Sequence, residues 1–351
     1  MAESSGLDKI VFIWDYDLTL TEEYQQVPFL ADNFKAIKDE YNGKKLISPK
    51  TSKPVIIKIE KPSDYFQISD TWAKPHNGVG YVVQLLHDAR KGLFKNFTPD
   101  GLREAGARVK LSPGMPEFFR KLKKEWKGKC EIEHNIISVG LLPLIEGSPI
   151  AKSGEIKGIF ATPLFDLNSF LQGKDLSEYN AMSDVVSPFN KTAYTIQIAK
   201  GLKENLDKIL RHSEYDSNYK KMIVLGDGGS DVSNMAYAKR KGAFCAGVYK
   251  HDSTEAYEIL MTNLIVKRRI QGVLPRDYRD ESTLWTTLNE VISFKLKWDC
   301  DFPPEWLDQY YKQKITHPSA EAMVREHLIE CSDCGHHLHT SYEYPPKDKE
   351  K

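Results

Sequence analysis

The sequence predicts an α/β fold: a Rossmann-like parallel sheet with helices on both faces, and a mainly helical cap inserted after the first strand. Two observations lead to this fold class. Short apolar runs alternate with segments of helical period, which is typical of a parallel sheet whose strands are joined by helices. The first run, IVFIW at 10–14, is apolar on both sides, as a strand covered on both faces must be.

The predicted elements of the sheet follow in order. The segment SPGMPEFFRKLKKEW (112–126) begins with Ser-Pro-Gly and then repeats apolar residues at helical spacing, which predicts a helix. CEIEHNIISVG (130–140) predicts the next strand, and SPFNKTAYTIQIAKGL (187–202) the next helix, with Asn190 as its N-cap. KMIVLGDGGSD (221–231) predicts a strand ending in a glycine turn, followed by a helix over SNMAYAKRKG and a strand over AFCAGVY (243–249).

Residues 24–110 interrupt this alternation. They are rich in Lys, Pro, Gly and aromatic residues, with helices predicted near 28–40, 63–73, 78–91 and 98–107. An insertion of this size between two strands predicts a separate cap. The predicted domains are therefore a catalytic core over 1–23 and 111–250, the cap over 24–110, a C-terminal helical extension over 251–330 packed on the core, and a disordered His- and Cys-containing tail over 331–351.

The composition limits the classes of function. In 351 residues, Lys+Arg and Asp+Glu both total 49, so the formal net charge is zero and nothing indicates a nucleic-acid or membrane surface as partner. The five cysteines are odd in number and mostly far apart, which favours a reducing compartment over a disulfide framework. We expect a soluble, cytoplasmic protein that acts on a small molecule.

Chemically active side chains fall at the ends of the predicted strands or the start of a helix. They are Asp15, Asp17, Ser138, Lys191, Asp227 and Asp231. Because the carboxyl ends of parallel strands form one edge where ligands bind, these side chains are expected to converge there. Carboxylates so close together are tolerable beside a divalent cation, and oxygen ligands suit Mg²⁺. A lysine and a serine beside such a metal supply what a phosphoryl group requires.

The four segments DYDLT, IISVG with Ser138, FNKTA with Lys191, and GDGGSD resemble the ordered motifs of the haloacid dehalogenase (HAD) superfamily. GDGGSD is similar to the form found in the phosphoserine-phosphatase-like branch, and the insertion resembles that family's C1 cap. A lone D-x-D-x-T would be weak evidence, whereas four motifs in order are strong evidence. The resemblance covers residues 15–231.

The resemblance implies a role for each residue. Asp15 would attack phosphorus and form an aspartyl-phosphate, and Asp17 would protonate the leaving oxygen and then deprotonate the attacking water. Mg²⁺ would be held by the Asp15 carboxylate, the Asp17 main-chain carbonyl and Asp227, with Asp231 in support. The phosphoryl group would be bound by four residues, one of which, Thr19, would also orient Asp17: Thr19, Ser138, Gly140 and Lys191.

The function expected from these residues is a Mg²⁺-dependent phosphatase, a phosphoric monoester hydrolase, acting on a small phosphorylated metabolite. Two alternatives remain open at this point. One is a phosphotransferase with the same aspartyl-phosphate, and the other is a non-catalytic binding or regulatory protein on the same fold. The sequence leaves the substrate open. The cap offers many candidate contacts for it: Lys58, Lys61, Trp72, Lys74, His76, Arg90, Arg103 and Arg108.

Two residue assignments have alternatives. If the third motif is displaced, Lys174, Lys200 or Lys203 would take the place of Lys191. In the tail, Cys331 and Cys334 have the spacing of a zinc knuckle, and neighbouring histidines could complete four ligands. The competing interpretation of the tail is an exposed, His-rich terminus.

Overall fold

The computed structural model describes residues 8–73, 79–173, 179–201, 208, 210 and 215–297. Its centre is a six-stranded, all-parallel sheet with the spatial order β10-β9-β8-β1-β4-β5. The strands are β1 (Lys9–Trp14), β4 (Glu131–Leu141), β5 (Ile156–Thr162), β8 (Met222–Gly226), β9 (Phe244–Tyr249) and β10 (Gly272–Pro275). The predicted α/β fold class is confirmed.

The central strand β1 has the environment that its sequence predicts. Residues 10–14 are all buried, because both faces of the sheet are covered. The strand pairs with β4 on one side and with β8 on the other. The helices that follow these strands are α6 (Glu117–Glu125), α10 (Lys191–Lys200), α11 (Val232–Arg240) and α12 (Thr254–Leu260). The alternation of apolar runs and helical segments therefore predicted β1, β4, β8 and β9 in their order along the chain, whereas β5 was not predicted.

The insertion after β1 is mainly helical. Its helices are α1 (Val27–Asp32), α2 (Phe34–Tyr41), α3 (Phe66–Trp72), α4 (Gly80–Arg90) and α5 (Pro99–Gly106), with a 3₁₀ turn over Pro62–Tyr65. A small antiparallel hairpin, β2 (Lys45–Ile47) and β3 (Pro54–Ile56), was not predicted. The insertion contributes most of one apolar cluster, which includes Phe29, Leu30, Ile68, Leu85 and Leu102.

A second region also contributes to this apolar cluster. Leu141, Leu144, Leu164 and Tyr179 pack into it from the chain that follows β4. That chain forms elements that the sequence analysis left unassigned: α7 (Leu142–Gly147), α8 (Pro149–Lys152), β6 (Leu164–Phe165), α9 (Leu167–Gln172) and β7 (Ala181–Met182). Their apolar runs are too short to show a period, so the sequence alone did not indicate them.

The chain beyond residue 250 differs from the expected helical extension. After α12 comes one turn of π-helix, Met261–Ile265, and then β10, which pairs with β9 and extends the core sheet. Four residues, GVLP, carry too little pattern to predict a strand. The helix α13 (Thr283–Lys297) follows. The chain divides into two units after Thr286, and of the second unit the structure describes residues 287–297, which continue α13.

Two further points concern the whole described chain. No helix among the described residues is both long and apolar enough to cross a membrane. The proposed zinc ligands Cys331 and Cys334 lie outside the described residues, as does the rest of the tail.

His134 of β4 is fully buried between aromatic rings in the core. Its Nδ1 accepts a hydrogen bond from the Trp14 indole N–H at 3.2 Å, and its ring centroid lies 4.7 Å from that of Phe119. Burial, and secondarily the positive charge of Lys123, lowers the pKa of His134 well below its ordinary value. The folded protein therefore holds this imidazole in its neutral form.

This burial predicts acid destabilisation. In the unfolded chain, His134 takes up a proton near pH 6.5, so the free energy of unfolding falls as the pH drops below that value, by up to about 1.4 kcal/mol per pH unit. Urea unfolding between pH 7.5 and pH 5 measures this slope. In His134→Gln the slope is expected to decrease by about 1.4 kcal/mol per pH unit, which is the contribution of one proton. His87→Gln, which alters an exposed histidine, should match the wild type. An unchanged slope in His134→Gln would contradict the prediction.

Candidate active site

Two neighbouring strands bring two aspartates to one edge of the sheet. Asp15 follows β1 and Asp227 follows β8, and the two strands are paired in parallel. The Asp15 N–H donates to the Leu225 carbonyl oxygen at 2.9 Å, so the pairing continues one residue past β1. This bond fixes the Asp15 backbone at the carboxyl edge of the sheet, where ligands bind in open α/β folds.

Lys191 forms hydrogen bonds with two carboxylates of the site, those of Asp15 and Asp231. It is the first residue of α10 and is fully buried. Its Nζ donates to Asp15 Oδ1 at 2.5 Å and to Asp231 Oδ1 at 2.7 Å. Burial alone would lower the pKa of Lys191, but the negative charges of Asp15 and Asp231 outweigh it and raise the pKa above its ordinary value. The lysine is therefore a buried cation at neutral pH.

Asp15, Asp227 and Asp231 form a compact carboxylate cluster. Each offers one oxygen, and these oxygens all lie within 4.8 Å of one another. Burial, followed by the negative charge of Asp15, raises the pKa of Asp227 to about 7 and that of Asp231 to about 8. Three carboxylates face one lysine, so the ionised cluster carries excess negative charge.

This cluster fits a divalent cation. Asp231 Oδ2 is buried and accepts no hydrogen bond from the described residues, so this member of the cluster has an unsatisfied acceptor. All the candidate metal ligands are carboxylate oxygens, which are the ligands that hard cations prefer. A cation held there would offset the excess charge and favour the ionised form of each aspartate.

Asp17 has a different environment from Asp15. The Gln25 backbone N–H donates to its Oδ1 at 2.7 Å, and the Gln25 side-chain Nε2 donates to its Oδ2 at 3.1 Å. Burial, and then the charge of Asp15, raises the pKa of Asp17 to about 7, although the Gln25 contacts and Lys191 oppose this. Asp17 is thus held away from the lysine with a pKa suited to proton transfer near neutral pH.

Gln25 links Asp17 to the end of β4, and the sequence analysis did not identify it. Its Oε1 accepts from the Leu141 N–H at 3.1 Å, and its Nε2 lies 3.5 Å from Ser138 Oγ. Gly140 leaves the space for it, since a Cβ there would lie 1.6 Å from Gln25 Nε2. The partners are more than 100 residues apart in sequence, so no local spacing indicates this contact.

The residues predicted to bind phosphate lie at the site, where they form hydrogen bonds with other residues of the site. The Gly140 N–H donates to Ser138 Oγ at 3.0 Å, because β4 continues through these residues to Leu141. Thr19 was expected to orient Asp17. Its hydroxyl instead lies 3.4 Å from Asp15 Oδ2, as a long donor contact. Lys191 occupies the position of the third motif; of its alternatives, Lys174 and Lys203 lie outside the described residues.

The backbone after Asp17 is held by the chain that follows β10. Leu18 has a φ of 56°, in the left-handed region that a branched side chain disfavours. The Arg276 guanidinium donates to the Leu18 carbonyl oxygen at 2.5 Å, and the Tyr278 hydroxyl donates to the Thr19 carbonyl oxygen at 3.0 Å. Ser112 Oγ donates to the same Thr19 carbonyl at 3.1 Å. These bonds stabilise the turn that separates Asp15 and Asp17 from the cap.

Gly114 permits this arrangement. It has a φ of 87°, and a Cβ there would lie 2.4 Å from the Tyr278 carbonyl carbon. The Tyr278 N–H donates to the Pro113 carbonyl oxygen at 2.8 Å. The Ser-Pro-Gly segment that predicted the start of a helix therefore also anchors the chain around Tyr278, and α6 itself begins at Glu117.

A cavity of about 850 Å³ lies between the carboxylates and the insertion. On the sheet side it is lined by Asp15, Asp17, Asp227 and Ser230. On the insertion side its walls include Tyr24, Phe66 and Asp70. The insertion thus covers the carboxylate cluster and provides one wall of the cavity above it.

Most of the cap cations predicted as substrate contacts bind elsewhere. Among the described candidates, Lys61 lines the cavity and the others do not. The Arg103 and Arg108 guanidinium groups pair with Glu146 and Asp32, and the Arg90 guanidinium donates to the Asn180 carbonyl oxygen at 2.6 Å. The Trp72 indole donates to Gln84 Oε1 at 3.0 Å. Lys74 and His76 lie outside the described residues.

The fold and the site define an α/β protein with a lysine-bridged carboxylate cluster at the carboxyl edge of its sheet. No family model matches the sequence. An uncharacterized protein of Borreliella burgdorferi is 26% identical over 168 residues, which are 44% of this chain and 58% of that protein. The chain therefore spans little more than half the length of this curated relative.

Solved structures similar to the chain include enzymes of known classes. Phosphoserine phosphatase in its apo form matches with 14% identity and a TM-score of 0.43, over 78% of this chain and 97% of that one. A HAD family hydrolase of Salmonella enterica matches with 13% identity and a TM-score of 0.43, over 77% and 69%.

The carboxylate cluster predicts stabilisation by a divalent cation. Mg²⁺ at a hundred times its Kd would raise the free energy of unfolding by about 2.7 kcal/mol, measurable as a higher thermal midpoint. Asp227→Asn should abolish this rise. It should also stabilise the metal-free protein at pH 8, because it removes one charge from a repulsive cluster. Asp39→Asn, on an exposed helix surface, should behave as the wild type. A rise that persists in Asp227→Asn would exclude this site.

The hydrogen bonds from Arg276 and Tyr278 to the Leu18 and Thr19 carbonyl oxygens predict an indirect effect on metal affinity. Arg276→Met removes the hydrogen-bond donor to the Leu18 carbonyl oxygen and so weakens the turn that follows Asp15 and Asp17. The affinity for Mg²⁺, measured by calorimetry, should then fall about tenfold or more. Arg279→Met makes the same chemical change at an exposed arginine that pairs with Asp277, and it should leave the affinity unchanged. Equal affinities in the two variants would show that the turn needs no such support.

Proposed function

We propose that the chain is a Mg²⁺-dependent phosphatase of the HAD superfamily that hydrolyses a phosphate monoester of a small metabolite. The observation that carries the proposal is the different environment of two neighbouring carboxylates. Asp15 is bridged by Lys191 to Asp231, whereas Asp17 is bound on both oxygens by Gln25. This difference supplies a nucleophile and a proton carrier side by side, in the order in which the superfamily's motifs use them.

Asp15 is the proposed nucleophile. One of its oxygens accepts a hydrogen bond from the Lys191 ammonium, and it lines the cavity. A carboxylate oxygen of Asp15 attacks phosphorus, the bond from phosphorus to the ester oxygen breaks, and an aspartyl-phosphate forms. Lys191 remains beside the reacting carboxylate and offsets negative charge as it develops.

Asp17 is the proposed proton carrier. In its protonated form it gives its proton to the leaving ester oxygen, which departs as an alcohol. The resulting carboxylate then accepts a proton from the water that attacks the phosphorus, the bond from phosphorus to Asp15 breaks, and inorganic phosphate is released. Gln25 keeps the Asp17 side chain in place through both steps.

Three carboxylates would hold the metal. Asp15, Asp227 and Asp231 provide the clustered oxygens, and Asp231 Oδ2 has no other partner among the described residues. When bound, Mg²⁺ would supply positive charge that offsets the charge of the phosphoryl group. The superfamily pattern adds the Asp17 main-chain carbonyl, which is consistent with a side chain already engaged by Gln25.

A phosphotransferase is the second candidate, because the same aspartyl-phosphate can be attacked by an alcohol in place of water. The cavity of about 850 Å³ provides space for a second hydroxyl compound as well as for water. A non-catalytic binding protein is less consistent with the site, since it has no need for a fully buried lysine between two carboxylates. Product analysis with an added alcohol separates the first two possibilities.

The test of the proposal is phosphate release from p-nitrophenyl phosphate and from a panel of phosphorylated metabolites, with and without Mg²⁺. Asp15→Asn should lower kcat by at least a thousandfold, because an amide is a poor nucleophile. Asp17→Asn should slow both steps while leaving metal-dependent stabilisation intact. Asp39→Asn serves as the exposed control. Wild-type protein that binds Mg²⁺ but releases no more phosphate than Asp15→Asn would refute the enzyme proposal.

A further inference from the structure

Three aromatic rings form a corner of the cavity next to the catalytic carboxylates. The rings of Tyr24 and Phe66 lie 5.5 Å apart between centroids at an interplanar angle of 70°, and those of Phe66 and Tyr81 lie 5.8 Å apart at 83°. All three residues line the cavity. Each pair meets edge to face, so the three rings form one contiguous aromatic group on the cavity wall, and we call these three residues the aromatic corner.

The aromatic corner favours one kind of ligand group. The face of an aromatic ring carries negative electrostatic potential, so it attracts an ammonium group placed over it. Several rings around one cation are the usual arrangement for binding choline-like groups. A neutral apolar group would also be buried there, but it would gain nothing from the electrostatic potential of the rings.

Gln26, a residue of the cavity wall, has a buried hydrogen-bond acceptor without a partner among the described residues. Gln26 lines the cavity and is only 3% exposed. Its Oε1 is buried and accepts no hydrogen bond from the described residues. An acceptor left in this state costs stability unless a bound molecule supplies a donor. The N–H groups of a primary ammonium, as in phosphoethanolamine, would supply such a donor, whereas a quaternary ammonium has no N–H and would depend on the rings and the carboxylates.

Two cap carboxylates add negative charge around the aromatic corner. Asp64 lines the cavity and is fixed by the backbone N–H groups of Glu60 and Lys61, at 2.8 and 2.9 Å from its Oδ2. Asp70 also lines the cavity. Burial first, and then the carboxylates of Asp227, Asp17, Asp15 and Asp70, raise the pKa of Tyr24. The Tyr24 hydroxyl therefore lies in the field of both the catalytic and the cap carboxylates.

Two lysines oppose this charge. The Lys50 Nζ donates to the Asp70 main-chain carbonyl oxygen at 2.6 Å, so it is held beside the Asp70 backbone. Lys61 lines the cavity and is exposed. A leaving group with both an ammonium and a carboxylate would place its carboxylate at Lys61. Phosphoserine is therefore a necessary comparison in any test.

We propose that the aromatic corner, with Gln26 and Asp70, binds the ammonium group of a phosphorylated amino alcohol, whose phosphate reaches the carboxylate cluster. This inference rests on the proposed function and names the class of its substrate. The phosphoryl group is recognised at the edge of the sheet and the cationic group on the cap side of the same cavity. Tyr24 lies between the two binding regions in electrostatic terms, because it is in the field of both the catalytic carboxylates and Asp70.

The first test compares two substrates of equal shape. Phosphocholine and its uncharged carbon analogue, 3,3-dimethylbutyl phosphate, differ only in the quaternary nitrogen. We expect kcat/KM for phosphocholine to exceed that for the analogue at least tenfold, with phosphoethanolamine also above the analogue. Equal values for phosphocholine and the analogue would overturn the inference. A preference for phosphoserine over both amino alcohol phosphates that Lys61→Met abolishes would also overturn it.

The second test uses variants outside the catalytic machinery. Phe66→Leu removes the central ring, and Asp70→Asn removes a carboxylate from an exposed residue and should leave folding intact. Each should raise KM for phosphocholine several-fold while changing KM for the uncharged analogue less than twofold. Phe170→Leu, at an exposed phenylalanine away from the cavity, is the matched control. Equal changes in KM for both substrates would contradict a cation site.

Two reference measurements keep this inference separate from the proposed function. Hydrolysis of p-nitrophenyl phosphate, which has no ammonium group, tests the phosphatase chemistry alone. Calorimetric titration with choline tests the aromatic corner without any reaction. Choline binding that Phe66→Leu and Asp70→Asn weaken would support the inference even if no phosphate were released. Absence of choline binding in a protein that hydrolyses p-nitrophenyl phosphate would refute the inference and leave the phosphatase proposal standing.

Discussion

The candidate site depends on one buried ion pair network, in which the Lys191 ammonium lies between Asp15 and Asp231. Removing a cation from water is costly, and the contacts at 2.5 and 2.7 Å offset that cost only while both carboxylates are ionised. The network therefore ties α10, the end of β1 and the start of α11 to one position. The ionised cluster has an excess of negative charge, because Asp227 belongs to it and Lys191 contacts the other two carboxylates. That surplus makes the site suited to a divalent cation.

The same network explains how two aspartates separated by one residue acquire different properties. Asp15 is paired with the buried Lys191 ammonium. Asp17 is buried and lies near the negative charge of Asp15, and both effects favour its protonated form, although the Gln25 donors oppose them. Like charges at the end of a buried strand are thus separated by their partners. The turn at Leu18, held by Arg276 and Tyr278, directs the two side chains to these different partners.

Much of the core could be predicted from the sequence, because a parallel strand covered on both faces must be apolar throughout, and β1, β8 and β9 are. The convergence of Asp15, Lys191 and Asp227 followed from the rule that strand ends share one edge. Other features depend on contacts between distant segments. Gln25 reaches Ser138 across the fold, and Arg276 reaches Leu18 over 258 residues, so neither has a local signal. The strand β10 was missed because four residues do not define a period.

The cap shows why the chemistry of a site and its specificity have different physical origins. The apolar cluster of the insertion is distinct from the carboxylate cluster, and Phe66 and Tyr81 of the cavity wall pack against it. Arg103 and Arg108 are engaged with Glu146 and Asp32, so the charged groups on the cap wall are Asp64 and Asp70, opposed by Lys50 and Lys61. With these charges balanced, the aromatic rings are the feature of the wall that distinguishes a cationic from an anionic leaving group. A site built to attack a dianionic phosphate therefore gains discrimination by favouring a cation at the other end of its substrate.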